Sequence, residues 1–436
     1  MTTAAQPEVH ATGWQRWTVC SLLFFATTIN YIDRLVLALL KPAIEQDLGW
    51  TQVDYGNIVF SFQAAYAGGL LMAGFLMDRL GTRIGLALSA AAWSLSAMAH
   101  GLVSSLAGFF AVRFSLGLSE AGNFPACIKT IAEWFPRKER ALATGIFNSG
   151  TNVGAMLTPI MVPWIASTWG WRSAFYVTGA LGFIWVALWL MVYRCPDTQP
   201  RLTPAELAYI RSGPADPAVT VPWARLFLHR QTWMFLMGKL LTDPIWYMWS
   251  FWIPDYLDKT HGVTITFSQI GPPMIAIYLM TDGGSVGGGW ISSHLLRRGW
   301  SVNGARKTAM LVCAFCVAPV FLASVPLHLP PAMSLWLPVL LIGIAASAHQ
   351  GFSANLFTLV SDTVPRHAVS SVVGIGGMAG AVGGMCMAKL IGGILQRTHN
   401  NYLIPFAIAS LAYLTALLVI HAINPTLEPM KLKDTT

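Results

Sequence analysis

Apolar runs of roughly 20 residues, the length that crosses a hydrocarbon core, alternate along this chain with short polar intervals. Twelve spans are predicted, near 14–38, 55–77, 84–103, 106–128, 140–166, 172–193, 231–254, 270–292, 307–327, 333–357, 369–395 and 402–424. The longest polar interval, 194–230, is rich in proline and charge and has six predicted spans on each side. The pattern predicts an all-α membrane protein with one six-helix half at 1–193, a central cytoplasmic linker at 194–230 and a second half at 231–436. Residues 1–13 are polar and the first span is too long for a signal-peptide core, so no cleavable leader is expected.

Composition agrees. Of 436 residues, 55% are hydrophobic and 11% charged, against about 25% charged in ordinary soluble domains. The net charge of +8 follows the loops of one side. With both termini cytoplasmic, Arg79, Arg83, Arg137, Lys138, Arg140, Arg297, Arg298, Arg306, Lys307 and Arg366 face inward, whereas Lys41, Arg172, Lys259 and Arg397 face outward. That is the positive-inside asymmetry, and it replaces a nucleic-acid partner as the meaning of the basic balance. The six cysteines lie in or beside spans, including Cys313-x-x-Cys316, and read as small core residues rather than a metal or redox site.

A weak internal repeat supports duplication. Pro136-Arg137, Gly145-Ile146 and Val153-Gly154 recur 229 residues later as Pro365-Arg366, Gly374-Ile375 and Val382-Gly383. Inverted or parallel repeats of this kind place a substrate site at the midplane between halves. Pro159 and Pro163, Gly283 to Gly289, and Gly374 to Gly384 allow either close helix approach or bending during alternating access.

Between the second and third spans stands Gly74-Phe-Leu-Met-Asp78-Arg79-Leu-Gly81-Thr-Arg83. Its glycines permit a tight turn, and Asp78 can pair with a basic residue or a helix amino terminus, forming with Arg79 and Arg83 a latch for one conformation. The stretch resembles the G-x-x-x-D-R-x-G-x-R/K signature of the major facilitator superfamily. That resemblance covers the chain and implies a transporter with twelve transmembrane helices in two six-helix halves.

Arg113-Phe-Ser-Leu-Gly117-Leu-Ser-Glu120, the stretch from Glu133 to Ala141 and Asn30-Tyr31-Ile32-Asp33-Arg34 resemble the anion:cation symporter family. In the second half, Ala348-His349-Gln350-Gly351, Ser361-Asp362, Asp282-Gly283 and Trp252-Ile253-Pro254 are similar to its hexuronate carriers.

Ionisable groups inside spans are costly and line functional cavities; here they are Asp33, Arg34, Arg113, Glu120, Lys129, Lys239, Asp243, Asp282 and Lys389. Arg113 and Glu120 are about two turns apart on one face of the fourth span. Burial disfavours a charged carboxyl and a neighbouring guanidinium favours it, so an arginine moving between Glu120 and a substrate carboxylate would load or release a proton. Asp33 and Arg34 lie about 100° apart around the first span and need not pair. The alternative is that these charges merely tie helices together. Lys239 and Asp243 have the i,i+4 spacing of an intrahelical pair, Lys129 and Lys389 are expected to snorkel from span ends, and Asp282 stays open.

Neutral hydrogen-bonding candidates for a polyol are Tyr31, Tyr66, Asn148, Thr151, Asn152, His349 and Gln350. Asn148 and Asn152 share a helix face, and His349 reads equally as a structural group. The resemblance assigns the substrate carboxylate to Arg34, a proton to Asp33 and a substrate contact to Tyr66. Thr151 stands where galactonate carriers have a glutamine, and Gly377 where they have an asparagine, which moves the expectation from aldonates to hexuronates. The tryptophans read as interface belts, with Trp246, Trp249 and Trp252 as possible exceptions.

No phosphate-binding loop, H-E-x-x-H helix or nucleophile elbow occurs, so neither an enzyme nor an ATP-driven pump is expected, and no cofactor or metal. The expectation is a monomeric, proton-coupled symporter in the bacterial inner membrane, importing a sugar acid such as glucuronate or galacturonate. Its rivals are a symporter of galactonate, glucarate or another organic anion, and a non-transporting membrane sensor.

Overall fold

The computed structural model describes residues 13–211, 223–325 and 330–430, except for the side chains at 74, 75, 78, 137, 138, 141, 223, 285, 331, 332, 366, 367 and 370. Among the described residues the regular structure is helical, without strands. The first group is α1 (Gln15–Leu48), α2 (Gln52–Ala99), α3 (Leu106–Glu120), α4 (Asn123–Trp134), α5 (Arg137–Trp169) and α6 (Trp171–Val192). Two short helices follow, α7 (Pro204–Ile210) and α8 (Trp223–Leu226). The second group is α9 (Arg230–His261), α10 (Phe267–Arg297), α11 (Val302–Val317), α12 (Pro331–Thr363), α13 (Arg366–Arg397) and α14 (Leu403–Ile423).

Each predicted span falls largely on helix, the ninth passing from α11 into a 3-10 segment at Ala318–Ser324 and ending at residues 326 and 327, outside the described residues; three further revisions follow. The second and third spans are one helical run, α2, broken at Gly81, whose φ of 73° is open to glycine and costly for a residue with a Cβ. The fourth span is two helices, α3 and α4, interrupted at Ala121-Gly122. The first span continues through Pro42 to Leu48, so Lys41, expected in an outer loop, is fully buried within α1. Among the described residues, six helices are long and apolar enough to cross a membrane on length and composition alone. Of the others, α3 and α4 are too short because they divide one span, and α5 and α9 carry polar groups such as Asn148, Asn152, Lys239 and Asp243.

Local signals account for the helix starts. Thr51 caps α2 through a reciprocal box, its hydroxyl accepting from the Asp54 amide while Asp54 accepts from the Thr51 amide. In the internal repeat, α5 and α13 both begin directly after a proline, Pro136 with φ −63° and Pro365 with φ −55°; a proline supplies a fixed φ there without sacrificing a needed donor.

Small residues bring backbones together. Gly117 of α3 lies against the Phe62 carbonyl of α2, and Gly288 of α10 against Gly351 of α12, as membrane helices without a hydrophobic driving force require. The two groups of helices meet through α2 with α13, α1 with α9 and α5 with α10. Lys129 donates to the Met77 carbonyl at 3.1 Å. Lys389 is exposed, about two turns before the end of α13, with its ammonium 4.1 Å from the centre of the Phe60 ring. All six cysteines are free thiols.

Candidate transport site at the centre of the bundle

Arg34 occupies the middle of α1 and is buried. Its Nε and a terminal nitrogen each lie 2.8 Å from the same Glu120 oxygen. Its guanidinium is ringed by Tyr66 at 4.8 Å, Tyr31 at 5.0 Å and Phe62 at 5.3 Å. Such an arrangement gives a planar cation a charge-assisted partner on one edge and aromatic faces around it.

Arg113, although on the same helix as Glu120, does not pair with it. Seven residues separate their α-carbons by about 10 Å along the axis, and Arg113 instead donates to the backbone carbonyl of Arg34 at 2.8 Å. It also lies 5.1 Å from the Phe62 ring. Among the buried atoms with no hydrogen-bond partner in the described residues are Nε and one terminal nitrogen of Arg113, Oε1 of Glu120, and both oxygens of Asp33. Asp33 points away from Arg34, as their angular separation predicts, toward Thr178 of α6. The first half thus holds two arginines and two carboxyls in a water-poor layer, with one ion pair satisfied.

On the facing side, Lys239 and Asp243 pair at 2.7 Å within α9, matching their spacing. One turn on, Trp246 stacks on His349 with centroids 5.1 Å apart and planes 11° apart. His349 Nδ1 lies 2.7 Å from the Tyr413 hydroxyl, so this histidine is held by α9 and α14 together. Gln350 is half-buried beside it on α12. Trp249 and Trp252 are buried and belong to the core rather than to an interface belt.

Between the halves, Asn152 of α5 donates to Asp282 of α10. Thr151 donates to the Asn148 carbonyl at 2.8 Å. One turn nearer the termini Asn148 is exposed, and a Cβ at Gly145 would meet nothing within 4 Å. The contact between α5 and α10 at Asn152 is thus followed, one turn nearer the termini, by an exposed Asn148.

The proposed latch is only partly visible. Asp78 has its side chain outside the described residues, and Arg79 is exposed. Arg83 donates to the Leu190 carbonyl of α6 at 2.8 Å, a contact inside the first half. Sequence reasoning missed Phe62, which lies beneath both arginines; its position four residues before Tyr66, on the same face of α2, was the available signal. It also missed Tyr247 of α9, which lies across from Arg34, Tyr31 and Tyr66.

A bundle of long apolar helices packed around buried charges has the build of a polytopic membrane protein. A family model for the Major Facilitator Superfamily matches residues 23–388. The chain is 30% identical over 421 residues to the hexuronate transporter of Escherichia coli (strain K12), with 95% of each chain covered. It is 27% identical over 398 residues to the D-galactonate transporter of Escherichia coli O6:H1, covering 88% of this chain and 90% of that one. The crystal structure of a D-xylose-proton symporter superposes with a TM-score of 0.70 at 14% identity, covering 95% of this chain and 99% of the other. The chain belongs to the major facilitator superfamily, whose members are transporters and not enzymes.

Proposed function

We propose that this protein is a proton-coupled symporter that imports a sugar acid, a hexuronate such as glucuronate or galacturonate, across a bacterial inner membrane, with both termini cytoplasmic. The observation that carries the reading is the Arg34–Glu120 pair, in which one guanidinium is held by one carboxylate oxygen among Tyr31, Tyr66 and Phe62.

Charge balance in this layer supports the coupling. With Asp33 and Glu120 ionised, the two carboxylates offset Arg34 and Arg113. One proton on either acid leaves a single positive charge, which a substrate carboxylate neutralises. Unbalanced charge is expensive in a low-dielectric interior, so anion and proton are bound most favourably together. Arg34 would then turn from Glu120 to the substrate, Tyr31, Tyr66, Asn148, Thr151, Asn152, His349 and Gln350 would read hydroxyls, and 1–193 and 231–436 would rock about 194–230. Similarity to both the hexuronate and the D-galactonate transporter supports the sugar-acid class; the missing glutamine and asparagine at Thr151 and Gly377 favour the hexuronate.

Uptake of labelled glucuronate, galacturonate and galactonate into proteoliposomes under an imposed pH gradient tests the reading. Hexuronate accumulation abolished by a protonophore is expected. Accumulation of galactonate alone would reassign the substrate, and binding without flux would revive a sensor.

A further inference from the structure

At the face away from the termini, a second buried ion pair joins the two halves. Lys41 of α1 and Asp255 of α9 are in direct contact, and both side chains are 0% exposed. Lys41 also reaches Glu45 at 2.7 Å and lies 5.6 Å from the Tyr55 ring. Asp255 accepts in addition from Gln52 of α2 at 3.0 Å and from the Tyr402 hydroxyl before α14. Gln52 continues the network, donating to the Asn400 side chain at 2.8 Å, while its amide donates to Gln396 at 3.1 Å. Nearby the backbones touch, a Cβ on Gly56 of α2 falling 2.7 Å from the Ala388 carbonyl of α13.

We propose that Lys41 and Asp255 form the gate that shuts the translocation path at this face, so that their separation is obligatory each time the site opens there. The inference rests on the transporter reading. Beyond the pair, at the ends of α1 and α9, lies a cavity of about 600 Å³, lined by Pro42, Glu45, Trp50, Asp258 and Lys259 among others. Below the pair, Leu35, Ala38, Pro159, Pro254 and Tyr278 line a void of about 10 Å³. The pair thus forms a polar plug next to an apolar layer, while toward the opposite face Asn148 of α5 is exposed. A pair that only tied helices together inside one half could persist throughout the cycle. This one spans both halves, so opening must break it, and each charge then needs water to replace its partner. Positioning the closed state is therefore the role of these two residues.

The test uses spin labels at Val53 and Leu403, exposed positions at this face on opposite halves, in a background without the native cysteines, without substrate. The parent is expected to give one short distance. Asp255→Asn and Lys41→Gln are expected to add a longer component, and Tyr402→Phe, which removes one hydroxyl and no charge, a smaller one. Asp47→Asn, which breaks an exposed pair with Arg172 inside the first half, is expected to leave the distribution unchanged. Parental distances in folded Asp255→Asn and Tyr402→Phe protein would overturn the gate even if their uptake fails. Longer distances in these variants alongside a parent that transports no sugar acid would support the gate and overturn the substrate reading instead.

Discussion

Arg34 donates from Nε to one oxygen of Glu120 at 2.8 Å and holds a terminal nitrogen 2.8 Å from the same oxygen, leaving the other Glu120 oxygen with no partner among the described residues. A carboxylate held through one oxygen leaves its second oxygen open to a proton, the property that the proposed coupling of proton and anion requires of Glu120.

Glu120→Gln keeps the shape of that side chain but cannot carry a proton on and off. Exchange of internal for external sugar acid is expected to continue, whereas accumulation driven by a pH gradient is lost. Counterflow and gradient-driven uptake, measured on the same vesicles, check it; undiminished accumulation would sink the coupling assignment.

Arg34→Lys retains the charge and loses the planar fork. Apparent affinity for the substrate is expected to fall roughly 10- to 100-fold, the worth of about 1.5–3 kcal/mol for one charged hydrogen bond. Substrate-dependent melting shifts give the measurement, and an unchanged dissociation constant would remove Arg34 from the binding role.

Gly117→Ala places a methyl group against the Phe62 carbonyl directly under both arginines, so α2 and α3 must part. A loss of about 1–3 kcal/mol of stability is expected from overpacking, together with weakened uptake. Gly145→Ala, which meets nothing within 4 Å, is expected to be neutral or to gain up to about 1 kcal/mol from helix propensity. Melting temperatures in one detergent compare the two.

On the side of the termini, α7 docks on the first half. Burial and the hydrogen bond from Tyr209 to Glu139, 2.6 Å long, push the Tyr209 phenol up to about 12. A folded-state value above the unfolded one, about 10, means that this contribution is complete below pH 10 and is lost as pH rises toward 12. Melting temperature is expected to decline more steeply over that window in the parent than in Tyr209→Phe; identical slopes would show that the contact contributes nothing.

Glu206→Ala is expected to cost about 1.5–3 kcal/mol, the range for hydrogen bonds to a charged group. It removes an acceptor 3.2 Å from Arg16, whose side chain is 4% exposed, although Glu139 at 3.0 Å remains. Thermal melting provides the readout, and protease sensitivity around α7 is expected to rise with it.

Arg34, Asp33, Arg113 and Glu120 were legible because a charge inside an apolar run is conspicuous whatever the fold. Their partners were not, since spacing along one helix puts Arg113 and Glu120 on one face but cannot show that α1 passes close enough for Arg34 to take Glu120. Lys41 misled for a different reason: Pro42 and the polar residues after it look like a loop, and only the continuation of α1 to Leu48 turns that lysine inward. Asp255, next to a predicted span end, likewise gained its meaning only when α1, α2 and the turn before α14 converged on it.

By itself, then, the order of apolar and polar residues determined the membrane helices, their duplication in two halves and the charges buried among them, because lipid enforces helix and penalises charge one segment at a time. Which charges meet, and at which face the halves touch or part, was decided by tertiary structure alone. Pairing across helices depends on how segments far apart in the chain are packed, and an ion pair in a low-dielectric interior is governed by those few ångströms.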